Sequence, residues 1–120
     1  THAGYTRLMQ IEDHPTLTEV LSRIAAQETR HIAFYASQAR ERLQRSTRAR
    51  RLTRFALAKA WHPVGANVMP RAEVQHLMRH LLGGAEGTVA AERVDSKIDT
   101  LPGLEGLGLV GRRTASLVAA

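Results

Sequence analysis

The stretch TLTEVLSRIAAQETRHIAFYASQARERLQR, Thr16 to Arg45, decides the fold. It holds neither glycine nor proline, and Pro15 stands just ahead of it at a position suited to a first helical residue. At ~1.5 Å rise per residue, one helix over this stretch spans ~45 Å, which suits the long rods of a helical bundle. On a wheel of about 100° per residue with Leu17 at the origin, Leu21, Ile24, Ala25, Ile32, Tyr35, Ala39 and Leu43 share one apolar arc. Glu19, Ser22, Arg23, Arg30, Ser37 and Glu41 lie opposite. Two residues break the pattern. Glu28 falls near the centre of the apolar arc and His31 at its edge.

Working outward, EDHPT (residues 12–16) is a turn, and residues 1–12 read as the end of a helix already under way. The opening residues carry neither an initiator methionine nor a helix cap, so a chain truncated at its N-terminus, with helices lost upstream, is expected. RST (residues 45–47) is a polar break before a second helix over 48–61, with Leu52, Phe55, Ala56 and Ala60 as its expected inner face. HPVGANVMP (residues 62–70) reads as a loop because Pro63, Gly65 and Pro70 forbid a continuous helix. A short amphipathic helix is predicted over 71–82, closed by Gly83 and Gly84. Residues 89–120 are expected to hold another short helix, over 89–100, and the Gly-rich apolar tail LPGLEGLGLVGRR, whose last residues can turn helical again. Strand alternation and internal repeats are both missing. The expected class is all-α, in one domain.

Composition narrows the chemistry. Cysteine is absent, which excludes disulfides and thiolate metal sites and fits a reducing cytoplasm. No apolar run approaches the ~20 residues that cross a bilayer. Only 4% of residues are aromatic, so Leu, Val, Ile and Ala must fill the core. Net charge is +6, and all of it resides in RERLQRSTRARRLTR (residues 40–54), where seven arginines face one glutamate. The remaining ten basic and ten acidic residues cancel.

An ionised carboxylate buried without a partner costs several kcal/mol, so Glu28 must be paired, protonated or metal-bound. Glu28 and His31, three residues apart, project from one face of the helix. Glu-x-x-His pairs of this kind are the inward-facing ligands of ferritin-like di-iron bundles, and carboxylate-rich sets suit iron or manganese. A plain Glu–His hydrogen bond, or capture of an arginine from a neighbouring helix, satisfies the same residues.

RIAAQETRHIAFYASQARERL, Arg23 to Leu43, resembles the second metal-ligand helix of the soluble acyl-acyl-carrier-protein desaturases, the di-iron type of plastids and actinobacteria. The residues that carry the resemblance are Ile24, Ala25, Ala26, Glu28, Arg30, His31 and Tyr35, with Gln27 where the family has Asp. The order of later helices and the LPGLEGL loop also resembles the family's C-terminal part. The resemblance implies a ferritin-like fold and O₂-dependent desaturation of an acyl chain. It implies Glu28 as a carboxylate ligand, terminal or bridging, and His31 as an imidazole ligand. Ala25, Ile32 and Ala36 become candidates for packing near an acyl channel. The family's full site needs a second Glu-x-x-His and two further Glu on upstream helices, which this sequence does not contain at matching positions. On this reading the chain alone is inactive, and it self-associates or pairs with the missing helices.

A second candidate pair, Glu73 and His76, with His80 one turn on, sits on the flank of its helix beside the apolar arc of Val74, Leu77, Met78, Leu81 and Leu82. A solvated polar face explains it, and a zinc or iron site at His76 and His80 is the alternative. His2, His14 and His62 suit surface or capping roles. Of the arginine run, Arg45, Arg48, Arg50, Arg51 and Arg54 are candidates for docking an acidic partner, and the resemblance makes an acyl carrier protein the natural one. No aromatic is interleaved in the run and no recognition-helix motif accompanies it, which argues against base reading in nucleic acid. Two alternatives stay open: a ferritin-like metal-binding or non-catalytic protein, and a basic helical interaction module.

Overall fold

Pro15 and Ser46 set the two ends of the long helix in a computed structural model that describes residues 1–63 and 65–118. Val64 of the HPVGANVMP loop and Ala119 and Ala120 of the tail lie outside the described residues. The chain is all-α: α1 (His2–Ile11), α2 (Pro15–Arg45), α3 (Thr47–Ala60), α4 (Arg71–Leu82), α5 (Gly84–Asp99) and α6 (Leu109–Val118). No strand occurs among the described residues.

Proline occupies the first position of α2, and the His14 ring accepts a hydrogen bond from the Leu17 amide at 3.3 Å. Arg42 and Arg45 lie in its last turn, where positive charge complements the helix dipole. Ser46 is extended (φ −143°, ψ 113°) and joins α2 to α3 as a single residue, its hydroxyl accepting from the Ala49 amide at 3.1 Å. The longest molecular dimension, 46 Å, equals the rise of α2. The radius of gyration of 15.3 Å exceeds the ~13.6 Å of a compact chain of this length. The long rod therefore carries surface that the rest of the chain does not wrap.

Three residues connect α1 to α2, and α1, only ten residues long, packs along the first half of α2. Leu21 and Ala25 are buried there. The other end of α2 enters a core of Leu43, Leu104, Leu107 and Leu109, bordered by Ala49, Leu57, Trp61, Ile98 and Leu101. A second core joins Val74, Met78 and Leu82 of α4 to Ala66, Met69, Ala90 and Val110. Between these supports the middle of α2 is bare.

Two expectations are corrected. The inner face of α3 is Ala49 and Leu57, continued by the C-cap residue Trp61, while Leu52 and Phe55 are 65% and 63% exposed and Ala56 and Ala60 are exposed with them. The helix carries two apolar stripes, and the Leu104–Leu107 loop covers the opposite one. Helix α5 begins at Gly84 rather than near Val89, because Gly83 ends α4 and caps α5 at once. Gly87 lies inside α5 since a Cβ there would stand 2.2 Å from the Leu82 carbonyl carbon. The leucines of the Gly-rich tail belong to the core: Leu104 and Leu107 are among the most buried side chains. Its turn depends on Gly103, at φ +82°, where a Cβ would come within 2.8 Å of the Arg50 Cβ.

Helix α6 is held by one carboxylate. Asp95 of α5 accepts from the Val110 and Gly111 amides at 2.9 and 2.8 Å, satisfying two first-turn donors across the helix junction.

Candidate functional site

The middle of α2 positions Glu28 and His31 on the same side of the helix, with the Glu28 Oε1 4.0 Å from the His31 Nδ1. The Glu28 side chain is 30% exposed and that of His31 is 64% exposed. Neither is enclosed by the chain's own core. Both open onto the unsupported stretch of α2, beside Ile32 and the aromatic pair Phe34 and Tyr35, whose rings meet edge to face at 5.4 Å. The carboxylate therefore avoids the burial cost that the wheel implies, because the helix face it occupies is wet in this chain.

Two donors on one helix fit half of a carboxylate–imidazole metal shell. Among the described residues, no group of three or more His, Asp or Glu side chains is placed to hold a metal ion. The reason lies in the neighbours: α1, the helix packed along α2, carries no carboxylate within His2–Ile11.

Glu73, His76 and His80 are exposed on the flank of α4. The His76 and His80 rings stack with centroids 6.5 Å apart, and the His80 Nε2 lies 3.6 Å from the Glu12 Oε1. This is a polar seam between α4 and the C-cap of α1, and among the described residues its side chains do not converge as a set of three that could hold a metal ion.

The arginines divide by task. The Arg54 guanidinium donates to the Gly103 and Glu105 carbonyls at 3.1 and 2.9 Å and so holds the Leu104 loop. Arg50 donates to the Thr47 hydroxyl at 2.8 Å, with its stem against Gly103. Arg45 pairs with Glu41 at 2.6 Å on the surface. Arg48 and Arg51 line a shallow hollow with Thr47 and Leu52 and make no side-chain hydrogen bond among the described residues. Of the five arginines singled out by sequence, these two are free to meet a partner.

The same loop perturbs one carboxyl group. Hydrogen bonds from the Glu105 and Gly103 amides, with Arg54 and Arg50 nearby, hold Glu105 below the usual carboxylate range.

Sequence reasoning missed Arg7. Its guanidinium is buried, donating to Glu86 at 2.7 Å, to Gln10 at 2.7 Å and to the Leu81 carbonyl at 3.1 Å. No local motif announces it, because Leu81 and Glu86, two of its three partners, lie more than 70 residues away. The Asp95 cap is likewise non-local, whereas the glycine spacing of LPGLEGLGL was a visible sign of a tight turn.

Comparison with protein families, curated proteins and solved structures finds no match to this chain.

Proposed function

We propose that this chain supplies half of the metal shell of a ferritin-like di-iron oxidoreductase resembling the acyl-acyl-carrier-protein desaturases. One observation carries the reading: Glu28 and His31, one turn apart, open on the same uncovered apolar side of a 31-residue helix. A carboxylate and an imidazole at this spacing are suited to one iron, or to manganese, with the remaining donors coming from outside these 120 residues. Bound iron would supply the activation of O₂ needed to remove hydrogen from an unactivated acyl chain. The chain's own contribution is to bind and to shield. Glu28 and His31 hold the ion, and Ile24, Ile32 and Tyr35, once covered, keep water from it.

Arg48 and Arg51 suit the steering of an acidic acyl carrier protein, since complementary charge chiefly raises the association rate. A reducing cytoplasm accords with the absence of cysteine. A second reading, an interaction module without metal chemistry, draws on the exposed Leu52 and Phe55 beside these two arginines.

The test is elemental analysis for iron and manganese on protein purified without chelator. Bound metal that is lost in Glu28→Ala supports the proposal. A chain that takes up none, even with ferrous iron supplied anaerobically in excess, overturns it.

A further inference from the structure

The bare side of α2 has a symmetry of its own. The helix runs from Pro15 to Arg45, so its midpoint is Arg30, between Glu28 and His31. We propose that a second copy of this chain lays its α2 antiparallel across that midpoint and brings the two Glu28–His31 pairs together as one divalent transition-metal site. The inference rests on reading Glu28 and His31 as metal donors, and it names the partner that completes them.

A two-fold axis between positions 29 and 30 sets Glu28 of one copy level with His31 of the other. It also sets Ile24 level with Tyr35, which is 67% exposed in the single chain. The donors are complementary across the axis, carboxylate facing imidazole, and the set becomes two oxygens and two nitrogens. That set suits a four-coordinate zinc or cobalt ion as well as ferrous iron. Packing at ~8–10 Å between axes brings opposing side chains of this length within reach of one ion.

The metal is needed for the pairing. The bare middle of α2, residues 27–38, is about 18 Å long and about 10 Å wide, a footprint of about 200 Å² per copy. A stable interface buries about 800 Å² per partner. Apolar contact alone is therefore short of what a standing dimer requires, and the association should depend on the ion.

The experiment is sedimentation of the 120-residue chain with and without Zn²⁺ or Co²⁺, with metal counted per chain. The expected result is a monomer in chelator and a dimer holding one ion per two chains in metal. The Co²⁺ complex should show the visible absorption of a four-coordinate site. His31→Ala and Glu28→Gln should each abolish the metal-induced dimer, and Tyr35→Glu should weaken it at least tenfold, with helical circular dichroism unchanged in all three. The native chain has no cysteine. A nitroxide on Ser22→Cys therefore reports a single distance, with twin labels offset by about 22 Å along the axis. Labels found level overturn the antiparallel pairing. Metal bound by a monomer overturns the proposal and leaves the functional reading intact. Failure to bind any metal overturns both.

Discussion

Arg7 and Glu86 meet at 2.7 Å across the junction of α1 with α5, and only the arginine is buried: its side chain is 10% exposed against 81% for the glutamate. That asymmetry decides which partner matters. Arg7 also donates to the Leu81 carbonyl, so its removal leaves a partly buried acceptor unpaired and a gap under α1. Arg7→Ala should cost about 2–3 kcal/mol. Glu86→Gln, relaxing into water, should cost about 0–1 kcal/mol. Urea denaturation of the two variants gives both numbers, and equal losses would show the ion pair rather than the buried donor to be the stabilising element.

The Asp95 carboxylate bonds two backbone amides of α6, the geometry of a helix cap supplied from another helix. Asp95→Ala should destabilise the chain by about 1–2 kcal/mol, the range of a lost cap. Amide hydrogen exchange should localise the loss, with protection at Val110 and Gly111 falling more than at α4. Uniform loss across all helices would show that α6 does not open separately.

Glu105 offers a pH test. Its carboxyl is held below the usual range by amide hydrogen bonds, so the folded loop favours the ionised form. A depressed folded pKa stabilises at pH above the unfolded value, and that contribution is lost as pH falls through the folded one. The wild-type chain should therefore lose stability relative to Glu105→Gln on acidification below the ordinary glutamate range. NMR titration of the Glu105 side chain should place its midpoint below the ordinary glutamate range.

The all-helical class was legible because Thr16–Arg45 lacks any breaker and keeps a helical apolar period. The wheel singled out Glu28 as a polar residue within the apolar arc. It could not tell which apolar residues find partners. Leu43 and Tyr35 share one arc, yet Leu43 is 4% exposed because the Leu104 loop reaches it, while among the described residues Tyr35 is left 67% exposed. The same gap explains Leu52 and Phe55: α3 carries two apolar stripes, and periodicity does not say which one the loop will choose. Arg7 and Asp95 were illegible for a simpler reason. Their chemistry depends on contacts 79 and 15–16 residues away.

Exposure along that arc predicts unequal mutational costs. Leu43→Ala should destabilise by about 2–4 kcal/mol through lost burial and a residual cavity. Tyr35→Ser, and Phe34→Ser on the neighbouring exposed ring off that arc, should stay within about 0.5 kcal/mol. A thermal-melt series covers all three. A large loss at Tyr35 in the isolated monomer would mean that a covering element is already present.

The arginines separate partner binding from folding. Arg54 holds the Gly103 and Glu105 carbonyls, so Arg54→Ala should loosen the loop under Leu43 and cost about 1–2 kcal/mol of stability. Arg48 and Arg51 lie at an exposed hollow, so the double variant Arg48→Ala/Arg51→Ala should melt within about 0.5 kcal/mol of the native chain. On the proposed docking of an acidic acyl carrier protein, its effect should appear instead in the association rate, which should fall several-fold at low salt and lose much of its salt dependence, and an unchanged rate would overturn that docking. Stopped-flow mixing at two ionic strengths reads that difference. If Arg54→Ala slows association more than the double variant does at equal folded fraction, the docking surface is the Gly103–Glu105 loop rather than the N-terminal half of α3.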